Sequence, residues 1–331
     1  MAPGGGLVFG DHCLAILDAA PGVEREFIAR DEAVLPADVV RRYDAILNFS
    51  GNAIADTSLT GAQRLKLVAR VGVGYDTIDV NACTRHGVLV TITPSAVRRP
   101  MASGAVAFIL ALTHRLPEKD ALTRSGGWAR RQELIGMGLA GRTIGIVGLG
   151  NIGREVLALL RPFEMRAIAY GPRLTAATAA AAGAEAVSLE TLLRESDVVC
   201  VACPLRPETH HLLSAERLGL MRAGAYLVNV SRGAVIDQQA LVAALRSGRI
   251  AGAGLDVFEE EPLPDDDPLL MLDNVVVAPH AIGFTDQLFG ESIASACRSI
   301  VAVASGRAPE DALNPDAAAA RAAGSTPSVV S

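Results

Sequence analysis

The chain has 331 residues, half of them hydrophobic, a formal net charge of −6 and an aromatic content of 4%. That length suits two domains with a sizeable core, so neither disulfides nor a structural metal is needed for folding. A mildly acidic chain with few aromatics lacks the basic, base-stacking face of a nucleic-acid binder, and no nucleic-acid partner is expected.

The N-terminal "MAPGGGLVFGDH" has no basic stretch followed by an apolar run, so no signal peptide is expected. Five cysteines without regular spacing point to reduced thiols and a cytoplasmic protein. In the first hundred residues "REFIAR", "YDAILNF", "LKLVARV" and "GVLVTI" predict strands in an α/β rhythm. The apolar run "MASGAVAFILALTH" is shorter than a membrane span and is flanked by Arg98, Arg99 and Arg115. It predicts a buried core helix from about Met101 that joins two domains, with no membrane partner.

From Arg142 to His280 short apolar runs alternate with helical patterns. "RTIGIVG", "MRAIAY", "DVVCVAC", "AYLVNV", "IAGAGLDVF" and "NVVVAP" predict strands. "NIGREVLALLRPF" places Ile152, Val156, Leu159 and Leu160 on one helical face, and Ser188, Ser214 and Asp237 are candidate N-caps. Gly248 stops the helix that Asp237 opens. Such alternation implies βαβ units and a parallel sheet covered on both faces. A last helix is expected over about Thr285 to Ala304, followed by an Ala-, Ser- and Pro-rich tail whose end should be disordered.

"GLGNIG" places Gly148, Gly150 and Gly153 in a G-x-G-x-x-G turn, with Asn151 and Ile152 between them, after an apolar strand and before an amphipathic helix. The first glycine permits the tight turn, the second lets backbone approach a pyrophosphate, and the third packs helix on strand. The helix N-terminus then offers free N–H groups to the anion. An acidic residue normally follows roughly 20 residues on to hold the ribose hydroxyls. Here "RAIAYGPRLT" offers Gly171 and Arg173 instead.

With that turn, "VGVGYDTIDV", "LVNVSRGAVID", "AGLDVFEEEPLP" and "APHAIG" resemble the D-isomer-specific 2-hydroxyacid dehydrogenases, in the right order over nearly the whole chain. The resemblance implies two Rossmann-like doubly wound parallel-sheet domains. A flavodoxin-like substrate domain (1–98 and 285–331) would receive an NAD(P)-binding domain (99–284) as an insertion. It implies hydride transfer between NAD(P)H and a small 2-oxo or 2-hydroxy acid, glyoxylate or hydroxypyruvate first, in a homodimer. The alternatives are a phosphoglycerate dehydrogenase-like enzyme without a regulatory domain and a non-catalytic, NAD(H)-sensing corepressor-like protein.

In this resemblance His280 matches the general acid/base, Glu261 its carboxylate partner and Arg232 the substrate arginine. A histidine titrates near neutral pH, a paired carboxylate orients it, and a guanidinium fork binds a carboxylate. Val73 and Gly74 match the loop whose N–H groups hold the substrate carboxylate. Cys203, Pro204, Thr209, Val230, Ser231, Asp256, His280 and Gly283 are expected along the cofactor. "CVAC" is formally C-x-x-C, but on a strand Cys200 and Cys203 point to opposite faces and cannot act as a pair; His210–His211 lacks further ligands at metal spacing, and no metal is expected. Ser103 stands where many relatives have a glutamate. Arg130 and Arg131 either reach a neighbouring subunit or form a solvated face. Where NAD-preferring relatives carry Asp, Gly171 leaves room, and Arg173 is placed to meet a 2′-phosphate. NADP(H) is therefore favoured over NAD(H), with dual use open.

Overall fold

The computed structural model describes residues 11–28, 32–49 and 52–317. The end of the chain, expected to be disordered, lies from residue 318 outside the described residues. The chain divides into two compact units, the described parts of Met1–Val97 with Thr285–Ser331, and Arg98–Phe284.

In the first unit β1 (Ala45–Asn48), β2 (Leu67–Arg70) and β3 (Leu89–Thr91) form a parallel sheet in the order β1-β2-β3. Parallel strands need cover on both faces, and alternation along β2 provides it. Leu67 and Ala69 join Leu288, Phe289, Ile293 and Ala296 of the helix Asp286–Ala304, while Val68 joins Val39, Val40, Leu59 and Ala82 on the other face. Thr285 caps the Asp286–Ala304 helix by accepting from Leu288 N. "REFIAR" is not a strand in its described part, Arg25–Ile28. Its polar side chains are spent laterally, Arg25 on Asp18 and Glu26 on Arg42 and Tyr43, and Phe27 is exposed.

The second unit holds seven parallel strands: β4 (Thr143–Val147), β5 (Arg166–Tyr170), β6 (Glu185–Ala186), β7 (Val198–Val201), β8 (Ala225–Asn229), β9 (Ile250–Leu255) and β10 (Val275–Val277). Their order is β10-β9-β8-β7-β4-β5-β6. The strand order therefore reverses between β4 and β7, the switch point at which such sheets bind dinucleotides beyond the carboxyl ends. Ser188, Ser214 and Asp237 cap their helices as the sequence predicts, accepting from Thr191, Arg217 and Ala240 N respectively. On the helix Asn151–Leu160, Val156 and Leu160 are buried, whereas Ile152 and Leu159 are only partly covered.

The apolar helix begins at Pro94, seven residues before the expected start, and runs to Thr113 with Pro100 inside it. "SAVRRP" hides the start because Arg98 and Arg99 face outward to Glu155, at 3.2 and 2.6 Å. Among the described residues this is the one helix whose length and composition would suit a membrane, yet half of it is buried. Ala102, Ala105, Phe108, Ile109 and Leu112 pack into the core of the second unit. A Cβ on Gly254 of β9 would stand 2.8 Å from Phe108 Cβ, so that glycine lets helix and sheet touch.

Residues beyond the last helix are tied to β3 by one side chain. Asn314 Oδ1 accepts from Val90 N at 2.8 Å, and its Nδ2 donates to Val88 O and to Thr84 Oγ1, both at 2.9 Å. Asn314→Ala leaves those buried groups unpaired and should cost about 1–3 kcal/mol, read as a lower urea midpoint. An unchanged midpoint would count against this anchoring role.

Candidate active site

The glycine turn closes the switch point. Gly148 has φ 99° and donates its N–H to Tyr170 O at 2.9 Å. A Cβ there would lie 2.6 Å from the Cα and N of Cys203, so the loop after β7 rests directly on this glycine. At Gly153 a Cβ would stand 2.6 Å from Gly148 O. Gly150 faces open space and ends the turn without a side-chain cap, so the first N–H groups of the following helix, at Asn151 and Ile152, have no capping side chain. That is the form of an anion site at a helix N-terminus.

After β5, Gly171 O accepts from Leu174 N at 3.0 Å in a tight turn. A Cβ on Gly171 would meet only Leu174 Cβ, at 3.6 Å, an ordinary contact. Arg173 is exposed, and no described residue pairs with it. In the loop after β7, Thr209 Oγ1 donates to Pro204 O and accepts from Arg206 N, both at 2.7 Å. The hydroxyl expected near the adenine is thus engaged within its own loop. Cys200 and Cys203 belong to the cores on opposite faces of the sheet. Burial pushes their thiols up to about 12 and about 11, so they are inert at neutral pH. Among the described residues no His, Cys, Asp and Glu cluster could hold a metal.

Arg232 follows a turn organised by Asn229, a residue the sequence reading did not single out. Asn229 is buried; its Oδ1 accepts from Ser231 N at 3.0 Å and Ser231 Oγ at 2.9 Å, and its Nδ2 donates to Arg232 O at 3.0 Å. Ser231 and Val230 are buried as well. Gly233 has no room for a Cβ, because the backbone of Phe258 and Glu259 occupies that space. This approach lays the arginine turn against the loop that carries Glu261.

His280 Nδ1 and Glu261 Oε2 are 2.7 Å apart, and Glu261 Oε1 accepts from Phe258 N at 3.0 Å. Burial opposes the charged form of Glu261 most strongly. The hydrogen bonds from His280 and Phe258 N, with the charges of His280 and Arg232, outweigh it and hold the carboxyl below its ordinary range. Of the acidic run, Glu259 turns instead to His211.

His280 occupies the left-handed region at φ 54°, unusual for a non-glycine residue and held by its surroundings. Its N–H donates to Asp256 O at 2.8 Å, and Asp256 Oδ1 accepts from Ala281 N at 2.7 Å and Ile282 N at 2.8 Å. Burial is the largest influence on Asp256 and raises its pKa against the pull of those N–H groups. Gly283 is buried at the end of this turn. A Cβ on Gly104 would lie 2.8 Å from Ile282 O, so that glycine seats the histidine turn on the long helix. Ser103, next to it, is exposed and donates to Pro100 O at 2.8 Å.

Val73 and Gly74 lie in the first unit, on the loop after β2. Gly72, with φ 110°, is the residue that turns the chain there, and its N–H donates to Thr93 Oγ1 at 2.8 Å. Arg70 Nε donates to Gly74 O at 2.9 Å, and the N–H groups of Val73 and Gly74 have no partner among the described residues. Arg130 is exposed and pairs with Glu133 at 2.8 Å, and Arg131 is exposed beside it.

Residues 106–281 match the family model of the D-isomer specific 2-hydroxyacid dehydrogenase NAD binding domain. The chain belongs to the D-isomer specific 2-hydroxyacid dehydrogenase family. It is 40% identical over 284 residues to a glyoxylate reductase of Thermococcus litoralis, covering 84% of this chain and 85% of that one. A D-lactate dehydrogenase of Aquifex aeolicus solved with NAD and lactic acid superposes with a TM-score of 0.75 at 31% identity, covering 82% of this chain and 86% of that one. An acyclic imino acid reductase solved with NADPH and D-Arg gives 0.78 at 25% identity, covering 87% of this chain and 90% of that one.

In this dehydrogenase the matched segment takes in the glycine turn, Arg232, Glu261 and His280, and leaves Val73 and Gly74 outside it. The lowered pKa of Glu261 has a consequence for stability. Its contribution is complete above the ordinary carboxylate value of 4.5 and is lost as pH falls through the lower folded value. Wild type should therefore lose more stability than Glu261→Gln from about pH 5 downward, measured as urea midpoints. Parallel losses in the two proteins would rule out that contribution.

Proposed function

We propose that the chain is an NAD(P)H-dependent reductase of small 2-oxo acids, of the glyoxylate reductase type, with glyoxylate or hydroxypyruvate as substrate. The observation that carries this reading is the 2.7 Å contact of His280 Nδ1 with Glu261, with the Arg232 charge acting on the same carboxylate. Because Nδ1 is taken, Nε2 is the nitrogen that delivers a proton to the substrate carbonyl oxygen. Glu261 orients the ring and stabilises the imidazolium before transfer. Arg232 neutralises the substrate carboxylate and polarises the carbonyl. A bound nicotinamide supplies the hydride. Asn151 and Ile152 N–H groups would hold its pyrophosphate, and Asp256 and Ser231 would line the nicotinamide end. For the Val73 and Gly74 N–H groups of the first unit, which have no partner among the described residues, the proposed role is binding a carboxylate. Residues 99–284 then form the dinucleotide domain, and 1–98 with 285–331 the substrate domain.

The preferred cofactor in this reading is NADPH. The turn after β5 has room for an acid, carries none, and presents Arg173, which has no partner among the described residues. A tenfold preference needs only about 1.4 kcal/mol, within reach of one charged contact.

A panel of glyoxylate, hydroxypyruvate and pyruvate with NADH and NADPH tests the reaction, followed as loss of nicotinamide absorbance. His280→Ala should lose roughly 10²-fold or more in kcat. Near-normal turnover of that variant removes the acid assignment. Tight cofactor binding without turnover of any oxo acid returns the corepressor reading. For the cofactor, Arg173→Ala should lower kcat/KM with NADPH more than with NADH, and Gly171→Asp should reverse the preference. A wild-type enzyme clearly better with NADH would refute the NADPH assignment.

A further inference from the structure

Three loops at the carboxyl edge of the seven-stranded sheet are laced side by side. His211 N donates to Ala234 O at 2.8 Å and Leu213 N to Val235 O at 3.0 Å, so the loop after β7 runs along the one after β8. The latter lies against the loop after β9, through the bare Cα of Gly233. One side-chain contact joins the first loop to the third: His211 Nε2 and Glu259 Oε1 are 2.7 Å apart.

The acceptor is held from a second direction. Glu259 Oε1 also accepts from Gln238 N at 3.1 Å, Glu259 N donates to Gln238 Oε1 at 3.0 Å, and Gln238 Nε2 donates to Asp267 Oδ2 at 2.9 Å. The donor is held against its preference, since His211 has φ 48°, a conformation that costs a non-glycine residue free energy. His210 stacks on it, with ring centroids 4.1 Å apart. The two paired side chains are 39% and 32% exposed, so their charge attraction alone adds little to stability. What the contact fixes is position. Glu259 stands between Phe258, whose N–H donates to Glu261, and Glu261 itself.

We propose that His211 and Glu259 are positioning residues, whose contact pins the loop of residues 256–262 to the loop of residues 203–211 and so sets Glu261 against His280. The proposal rests on the reading of Glu261 and His280 as the proton-delivering pair. It adds that the loop beside the dinucleotide turn and the loop bearing the catalytic carboxylate move as one body.

The test uses full-length wild type, His211→Ala, His211→Gln, Glu259→Ala and the double alanine variant. Glutamine places its amide nitrogen near the position of Nε2. His211→Ala should lower kcat roughly tenfold, below the ~10²-fold that a 1 Å misplacement can cost, with KM for glyoxylate and NADPH changed less than about twofold. His211→Gln should recover most of that loss, and the double variant should be no worse than Glu259→Ala. Hydrogen–deuterium exchange of a peptide spanning 256–262 should quicken in both single alanine variants and return toward wild type in His211→Gln. Unchanged exchange in His211→Ala overturns the proposal, as does a kcat loss that glutamine does not rescue. If wild type reduces no 2-oxo acid, the reading of the reaction fails, and the exchange result alone still decides whether the loops are pinned.

Discussion

The site depends on backbones touching where side chains are missing. In a parallel sheet every strand ends at the same edge, so the loops that follow are crowded together and must satisfy their polar groups there. Gly148 lets the Cys203 loop close on the dinucleotide turn, and Gly153 lets the first helix press against it. Gly233 admits the backbone of Phe258 and Glu259, and Gly104 admits Ile282. Each contact fixes the position of a neighbour: Gly233 that of Arg232, the loop lying on it that of Glu261, and Gly104 that of the turn bearing His280. Because interiors are close-packed, even one added methyl at such a contact must displace backbone.

Two carboxylates near the histidine show how burial and hydrogen bonding divide labour. Asp256 is almost fully buried and its pKa is raised, chiefly by desolvation. It accepts the N–H groups of Ala281 and Ile282 and so holds the histidine turn in its left-handed conformation. Glu261 is less buried and meets the imidazole itself, and there the hydrogen bonds overcome desolvation. The same chemical group therefore shapes the backbone at one position and faces the ring at the other. The environment of each decides which.

Helix caps, strands and the glycine turn were legible in the sequence because each rests on local rules. Ser188, Ser214 and Asp237 cap what their positions predict, and the six strands expected between Arg142 and His280 are present. "REFIAR" misled because alternation reports a buried face only if a partner strand exists, and its polar residues pair sideways instead. Pro94 was hidden as a helix start because Arg98 and Arg99 break the apolar pattern while reaching to Glu155. In "EEEP" the chemistry of three identical side chains carries no distinction. The family resemblance is what singles out Glu261 in the sequence, and the fold sends Glu259 to His211 and Glu261 to His280. Asn229 was invisible for a related reason, since a buried amide that ties a turn together looks like any polar residue at a strand end.

Gly171 differs in kind from the glycines that build the site. Gly148 needs its positive φ, and Gly153, Gly233 and Gly104 need the space of a missing Cβ. At Gly171 neither demand exists: an added Cβ would make one ordinary contact with Leu174. Backbone geometry therefore does not require glycine there, and the fold would accommodate an aspartate. What the residue removes is a negative charge beside the end of β5, with Arg173 two positions on. For a dinucleotide that carries an extra phosphate, a missing repulsion and a guanidinium with no partner among the described residues act in the same direction. Under the NADPH reading proposed above, glycine at this position bears on cofactor selection rather than on the fold.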